Sequence, residues 1–258
     1  MPAKINRLKT SLKAGEVSFG CWLGLADSYA AEIMGGAGFD FLVIDGEHAP
    51  NDIRSILAQL QVLAAFDVDP VVRVPVGQTH LIKQVLDLGA QTVLVPMVES
   101  AAQARQLLRD ITYPPHGDRG VGYAVSRAGA FSRNADYGTT ADAQICLLVQ
   151  VENLRGMAAL DDILAVDGVD GVFIGPADLA ADMGHMGDAM HADVQATILD
   201  AIARIRAAGK APGLLSTVDA MTDPALEAGA QFVAVGADVL ILGQTARALA
   251  EKWIARTL

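Results

Sequence analysis

Eight short apolar segments recur along the chain at intervals of roughly thirty residues, with helix-like stretches between them. The apolar segments are residues 18–24, 39–45, 69–75, 92–98, 144–152, 168–175, 212–216 and 232–238. Apolar residues recur at helical spacing in 51–66, 79–90, 100–111 and 194–209. Near-continuous apolar strands are typical of parallel sheets that are covered on both faces. The pattern therefore predicts an α/β fold, a (β/α)8 TIM barrel, as a single domain over residues 1–258.

The main alternative is a doubly wound open sheet. Such a sheet usually has fewer strands, and those that bind dinucleotides carry a G-x-G-x-x-G turn after the first strand. No such turn follows residues 18–24. The sequence therefore favours the barrel, and it predicts no nucleotide cofactor.

Charge and hydropathy limit the classes of partner. The chain carries 19 Lys and Arg against 30 Asp and Glu, a formal net charge of −11, so nucleic acid and anionic membrane would be repelled. No apolar run reaches the ~18 residues of a membrane span, and no signal-peptide core follows the basic N-terminal stretch. Cys21 and Cys146 lie in apolar strand segments, which predicts buried thiols rather than a disulfide or zinc ligands. We expect a cytoplasmic protein that acts on small molecules.

Polar residues accumulate where the second and third predicted strands end. Asp45, Glu47 and His48 follow one apolar run, and Arg73 lies between two valines, where a charge needs an anion or a carboxylate. The active site of a barrel lies at the C-terminal mouth of its strands. Because Asp45 precedes His48 by three residues, its carboxylate could fix the imidazole tautomer, which predicts a general-base pair. In an extended chain Glu47 points away from Asp45, so we expect a lesser role for it.

The fifth and sixth strands end in a second acidic group. Gln150 and Glu152 share a face because side chains two apart in a strand point the same way. Asp178 follows the next strand, so its carboxylate should lie beside that of Glu152. Two neighbouring carboxylates predict a site for Mg²⁺, Mn²⁺ or Co²⁺. The alternatives are a salt bridge from Glu152 to Arg155 and a helix N-cap at Asp178.

The distribution of lysines bears on the chemistry. No lysine falls at the end of a predicted strand. Schiff-base chemistry needs a buried amine at the mouth, so a metal-polarised carbonyl is the favoured route. The lysines are Lys4, Lys9, Lys13, Lys83, Lys210 and Lys252.

The long segment 112–143 interrupts the alternation of strands and helices. Long irregular loops in compact domains are usually functional or disordered. Its glycine-rich stretch from His116 could present N–H groups to an anion, or the segment could be a structural connection. For the histidines other than His48, namely His80, His116, His185 and His191, we expect mostly exposed or capping positions without partners of their own.

Six segments of the sequence resemble the HpcH/HpaI aldolase family, which is typified by 4-hydroxy-2-oxoheptanedioate aldolase. They are FDFLVIDGEHAPND, VVRVP, LDLGAQTVLVPMVESAAQA, YPPHGDRGVG, VQVENLRGM and GVFIGPADLAADMG. The resemblance implies a class II, metal-dependent pyruvate aldolase on a barrel of the phosphoenolpyruvate/pyruvate superfamily. Such an enzyme reversibly splits 4-hydroxy-2-oxo acids into pyruvate and an aldehyde.

The resemblance also implies roles for individual residues. Glu152 and Asp178 match metal ligands, Arg73 matches the residue that binds the pyruvate oxygens, and His48 with Asp45 matches the base pair. The other positions implied to contact substrate are Gln150, Ala177, Asp178, Trp22, Ser126, Leu215 and Asp87, the last reaching a neighbouring subunit's pocket.

The family's assembly is implied as well. The resemblance predicts a homo-oligomer, a hexamer arranged as a trimer of dimers, in which subunits exchange a C-terminal helix at about 243–257. Two other functions remain open at this point. One is a lyase for coenzyme A thioesters from the same superfamily, and the other is a protein that binds keto acids without turnover.

Overall fold

The computed structural model describes residues 2–255, and its eight strands close a parallel barrel in chain order. The strands are β1 Ser18–Leu23, β2 Phe41–Asp45, β3 Asp69–Arg73, β4 Thr92–Val95, β5 Cys146–Val151, β6 Gly171–Ile174, β7 Ala211–Leu215 and β8 Phe232–Ala237. β8 pairs with β1 and closes the barrel. The predicted (β/α)8 fold is confirmed, although most of the observed strands are shorter than the apolar runs.

Helices follow the strands around the outside of the barrel. They are α1 Arg7–Ala14, α2 Ser28–Gly35, α3 Ile53–Leu63, α4 Thr79–Asp87, α5 Ala101–Ile111, α6 Tyr137–Thr140, α7 Leu154–Ala158, α8 Leu160–Leu164, α9 Pro176–Asp182, α10 Ala192–Ala207, α11 Asp219–Glu227 and α12 Asp238–Ile254. Over the residues described, none of these helices has both the length and the apolarity needed to span a bilayer.

The strands bury two separate apolar layers. Val43 and Val71 belong to the layer inside the barrel, together with Phe173 and Phe232. Their sequence neighbours, such as Ile44, belong to the larger layer between the barrel and the helices. Because successive side chains of a strand point to opposite faces, each strand contributes to both layers. This two-sided burial explains why the strands read as continuous apolar runs.

The long connection between α5 and β5 lies at the N-terminal end of the barrel. Arg127 donates from Nη1 to the carbonyl of Leu88 at 2.7 Å and from Nη2 to the carbonyl of Leu60 at 3.1 Å. These carbonyls lie near the C-terminal ends of α4 and α3, where the chain turns back toward the next strand. Within one subunit the segment therefore lies opposite the mouth.

The C-terminal helix α12 is joined to the barrel near its beginning. The buried carboxylate of Asp238 accepts the backbone N–H groups of Gly24 and Leu25, at 2.7 and 3.2 Å. Val239, Leu242 and Leu249 are 41%, 58% and 57% exposed, and their spacing places them on one face. The helix begins five residues earlier than predicted, and residues 256 and 257 of the predicted range lie outside the described part.

Candidate active site

The mouth of the barrel is organised around an ion pair between β2 and β3. Asp45 and Arg73 are partners in the strand register, and both are buried. Arg73 donates from Nε and Nη2 to the two carboxylate oxygens of Asp45, at 2.9 and 2.7 Å. Both side chains continue the inward alternation of Val43 and Val71. Arg73 therefore meets a carboxylate, and its partner is Asp45.

Asp45 does not pair with the imidazole of His48. Its Oδ1 accepts the backbone N–H groups of Glu47 and His48, at 2.9 and 3.3 Å. The carboxylate that approaches the imidazole is that of Glu47, whose Oε2 lies 3.9 Å from Nε2. The predicted side-chain contact between Asp45 and His48 is wrong, because the turn after β2 leaves 67% of the His48 side chain exposed.

Glu47 also lies elsewhere than predicted. An extended chain would have turned it away from Asp45, but the backbone bends from Gly46 onward. Glu47 Oε2 consequently comes within 2.7 Å of Nη1 of Arg73. The approach is off the hydrogen-bond direction, and among the described residues this buried oxygen has no hydrogen-bond donor. Arg73 thus lies between two carboxylates.

The two carboxylates around Arg73 have opposite pKa shifts. Burial acts to raise the pKa of Asp45, but the hydrogen bonds and charge of Arg73 outweigh it, so the pKa lies below the ordinary value. Burial raises the pKa of Glu47, and the charge of Arg73 offsets only part of this effect. Asp45 is therefore a firmly ionised anchor for the guanidinium.

β5 and β6 bring the two predicted metal ligands together. Glu152 directly follows β5 and is buried, and Asp178 lies in the first turn of α9. Both line one hollow at the mouth. Burial is the main cause that raises the pKa of Glu152, and the charge of Asp178 raises it further. The arrangement places the charge of Asp178 where it makes ionisation of Glu152 less favourable.

The alternative explanations for these two residues are not supported by the geometry. Arg155 pairs with Glu99 at 3.1 Å, so it is not the partner of Glu152. The N-cap of α9 is Gly175, and no side chain caps that helix end. The proposed salt bridge to Arg155 and the capping role of Asp178 are therefore wrong.

The donor set fits a hard divalent cation. Glu152 and Asp178 offer carboxylate oxygens, the ligands that Mg²⁺ and Mn²⁺ prefer. Glu152 is oriented by the backbone N–H of Met97, at 2.9 Å, and by the side-chain amide of Gln150. Gln150 is 2% exposed, and its Oε1 has no hydrogen-bond donor among the described residues. A buried oxygen without a donor is expected where a bound group completes the site.

A cavity of about 460 Å³ opens over Gln150 and Asp178. The predicted residues that line it are Trp22, His48, Arg73, Gln150, Ala177, Asp178 and Leu215. Trp22 is only 5% exposed, so it is both part of the inner core and a wall of the cavity. The guanidinium carbon of Arg73 lies 5.3 Å from the centre of its ring. The cavity thus has a charged floor and a largely apolar wall.

Two predicted residues lie away from this cavity. Ser126 belongs to the connection at the N-terminal end of the barrel, where its hydroxyl donates to the carbonyl of Tyr123 at 3.3 Å. The prediction that Ser126 lines the pocket is therefore wrong within one subunit. Asp87 is the last residue of α4, and its Oδ1 lies 3.5 Å from Nη2 of the buried Arg119. Its predicted contact with a neighbouring subunit stays a prediction.

Sequence reasoning missed several residues of the site. Gly175 lies so close to Glu152 that an added Cβ would be 2.5 Å from Oε2. The connection 187–190 forms part of the cavity wall, although it lies beyond α9 in the chain. The glycine at the end of β6 was the one available signal, because a glycine at a strand end often marks close approach of another group.

Comparisons with known proteins identify the family. Residues 18–244 match the family model described as HpcH/HpaI aldolase/citrate lyase. A crystal structure of a family member from Burkholderia cenocepacia superposes with a TM-score of 0.91 at 42% identity, covering 95% of this chain and 98% of that one.

Two curated relatives support the same assignment. A hydroxypyruvate/pyruvate aldolase from Roseobacter denitrificans is 60% identical and covers 98% of this chain and 99% of its own length. A 4-hydroxy-2-oxo-heptane-1,7-dioate aldolase from Salmonella dublin is 52% identical, covering 96% of this chain and 94% of its own. With the barrel and the resemblance of its strand-end motifs, these matches show that the chain belongs to the HpcH/HpaI aldolase/citrate lyase family.

Proposed function

We propose that this protein is a class II pyruvate aldolase. It would cleave 4-hydroxy-2-oxo acids to pyruvate and an aldehyde and catalyse the reverse addition, with pyruvate or hydroxypyruvate as the donor. The observation that carries the proposal is the buried Arg73 at the barrel mouth, in one cavity with Asp178, which in turn lines a hollow with Glu152. The activities for which both curated relatives are named favour the same reaction.

Glu152 and Asp178 would hold a divalent cation, Mg²⁺, Mn²⁺ or Co²⁺. When bound, such an ion acts as a Lewis acid toward the oxygens of a keto acid. None of the described residues lining the cavity is a lysine, so imine formation has no amine at this place. The acidic pair thus supports metal-assisted rather than Schiff-base chemistry.

Arg73 would bind and orient the keto acid. Its guanidinium is held by Asp45 through two hydrogen bonds, so it presents a fixed positive charge to the cavity. The charge favours the enolate that develops when the donor loses a methyl proton. Asp45 acts through Arg73 and is a positioning residue. The N–H groups of Ala177 and Asp178, in the first turn of α9, would donate hydrogen bonds to the substrate carboxylate.

His48 would carry the proton. Its side chain lines the cavity and lies beside Glu47. In the addition direction, Nε2 takes a proton from the methyl carbon of pyruvate, and that carbon then bonds to the aldehyde carbonyl carbon. The alkoxide formed takes up a proton to give the hydroxyl group. Cleavage follows the same steps in reverse.

Exchange of the pyruvate methyl protons in deuterated buffer tests this proposal. We expect exchange in the wild type with Mg²⁺, strong loss of exchange after chelation, and loss of exchange in His48→Asn. His80→Asn is the matched control, since His80 is exposed on α4. Absence of exchange in the wild type would identify a binding protein instead. Full exchange after exhaustive chelation would reject the metal-dependent route.

We further propose that the subunits form a homo-oligomer, in which α12 docks on another copy of this chain. The apolar face of Val239, Leu242 and Leu249 would be buried there. Ser126 and Asp87 belong to the N-terminal side of the barrel and would reach a cavity only in such an assembly. A hexamer built from dimers accommodates both features.

A further inference from the structure

Two histidines and an aspartate come together beyond α9, outside the acidic site. His185, His191 and Asp193 each offer one ligand atom, and these atoms all lie within 4.8 Å of one another. The rings of His185 and His191 are stacked, with centroids 3.5 Å apart and an interplanar angle of 14°. The expected capping role is confirmed for His191, which caps α10, but the two histidines are not without partners as expected, because they stack on each other.

The backbone between the two histidines is folded into successive turns. Asp188 donates its N–H to the carbonyl of His185 at 2.9 Å, and His191 donates to the carbonyl of Asp188 at 3.1 Å. Gly184 and Gly187 adopt φ values of 85° and 79°, which favour glycine. The connection therefore holds the histidines in proximity through its own hydrogen bonds.

The side chains have the donor types of a transition-metal site. Imidazole nitrogens with a carboxylate suit Zn²⁺, Ni²⁺ and Cu²⁺. Nδ1 of His191 accepts the N–H of Asp193 at 3.3 Å and lies 3.8 Å from Oδ2 of the same residue. Nδ1 therefore carries the lone pair, and a ligand bond there would replace this hydrogen bond. Zinc–nitrogen bonds of about 2.0–2.1 Å require ligand atoms about 3.3 Å apart. The ligand atoms lie within 4.8 Å of one another, so an ion would bind only after the half-buried rings of His185 and His191 turn toward it.

We propose that His185, His191 and Asp193 form a second metal site, selective for ions such as Zn²⁺ or Cu²⁺. The connection that carries the ligands also supplies residues 187–190 to the cavity wall. A bound ion would tie the end of α9 to the start of α10 and hold that wall in place. Metal binding at this site does not depend on the proposed aldolase activity.

Electron paramagnetic resonance of bound Cu²⁺ distinguishes this site from the acidic one. Glu152 and Asp178 provide only oxygen ligands, whereas the proposed site gives splitting from two nitrogens. Full-length protein stripped by chelation would be titrated with one equivalent of Cu²⁺. In the wild type we expect splitting from two nitrogens. Its affinity for Cu²⁺ should be at least about 100-fold above that of variants lacking one histidine ligand, since loss of one ligand commonly costs a few kcal/mol.

Two variants preserve the local structure while removing a ligand. His191→Asn keeps a side chain that caps α10, and His185→Phe keeps a flat ring for the stack. Both should lose the two-nitrogen pattern, whereas His116→Asn, at an exposed histidine elsewhere, should keep it. Persistence of the pattern in both variants, or equal loss in His116→Asn, would overturn the proposal.

Hydrogen exchange tests the effect of the ion on the wall. Saturating Zn²⁺ should slow amide exchange in residues 184–191 about 10-fold in the wild type and leave it unchanged in His191→Asn, because bound metal suppresses local opening. Equal exchange with and without Zn²⁺ in the wild type would refute the role of the site in holding this connection.

Discussion

Asp45 and Arg73 face each other across β2 and β3 and share two hydrogen bonds of 2.9 and 2.7 Å at the barrel mouth. Such a bidentate contact fixes the plane of the guanidinium as well as its position. The third nitrogen, Nη1, lies 2.7 Å from Glu47. The orientation of Arg73 is therefore determined by its neighbours before any substrate binds.

Replacing Arg73 by lysine should lower kcat/KM for retro-aldol cleavage by at least about 100-fold. Lysine keeps the charge but loses the planar pair of donors. Loss of electrostatic stabilisation of the transition state typically costs about 3 kcal/mol. Arg109→Lys is the matched control, because Arg109 makes a similar bidentate pair with Asp118 on the surface, at 2.7 and 2.8 Å. Wild-type kinetics in Arg73→Lys would contradict the assigned role.

Asp45→Asn should destabilise the fold in a manner that depends on pH. The folded pKa of Asp45 is lowered, so its ionised form stabilises the protein above the unfolded value of about 3.9. That contribution is lost as pH falls through the folded pKa. In urea unfolding we expect the free energy of unfolding of Asp45→Asn to be about 2 kcal/mol below that of the wild type at pH 7. This difference should shrink as pH falls below about 4. A difference independent of pH would contradict this assignment.

Glu152→Gln should stabilise the metal-free protein and abolish its response to Mg²⁺. Burial and then Asp178 raise the pKa of Glu152, so without a cation its charge is unfavourable in the fold above that pKa. We expect a gain of about 1 kcal/mol for the metal-free variant in thermal unfolding with chelator. The wild type should instead gain about 2.7 kcal/mol of stability when the Mg²⁺ concentration is 100 times its Kd.

The control for this experiment is Glu227→Gln, on the exposed side of α11. It should match the wild type with and without Mg²⁺. If Glu152→Gln is stabilised by Mg²⁺ as much as the wild type, Glu152 is not a ligand.

Gly175→Ala should weaken metal binding while the fold is retained. A Cβ at residue 175 would lie 2.5 Å from Oε2 and 2.8 Å from Cβ of Glu152, so the glutamate must move. A change in the groups that orient a metal ligand commonly lowers metal affinity by about 10- to 100-fold. Calorimetry with Mn²⁺ measures this affinity. Gly36→Ala is the control, since the nearest atoms to its added Cβ lie 3.8 Å away. Equal affinity in both variants would show that the space around Glu152 is not limiting.

Leu249→Glu should dissociate the oligomer. Leu249 lies on the apolar face of α12 and is 57% exposed in the single chain, so an added charge would be buried at the proposed contact at high cost. Sedimentation should show a smaller species than the wild type. Gln244→Glu, on the polar face of the same helix, should leave the mass unchanged. A Leu249→Glu protein of wild-type mass would exclude this face from the assembly.

The number and order of the strands could be predicted from local patterns. Each strand is apolar on both faces because it lies between the inner core and the helices. Burial on both faces makes consecutive residues apolar, and this pattern is visible in the sequence. The polar residues at the C-terminal ends of β2, β3, β5 and β6 could be placed at one mouth, because parallel strands of a barrel end on the same side.

The contacts among those residues could not be predicted in the same way. His48 and Asp45 are three residues apart, yet the turn after β2 separates the imidazole from the carboxylate, which binds Arg73 instead. The family resemblance implied that Ser126 contacts substrate, but in one chain it lies at the opposite end of the barrel. His185 and His191 meet through an irregular connection that has no sequence periodicity.

The sequence by itself determined the (β/α)8 architecture, the family and the set of ionisable groups at the mouth. Only the tertiary structure decided which carboxylate holds Arg73, which one approaches His48, and that two histidines are stacked beside the cavity. The physical reason is that strand and helix patterns record local burial, which repeats every few residues. Pairing between side chains depends on turn geometry and on distances between segments that no local pattern records.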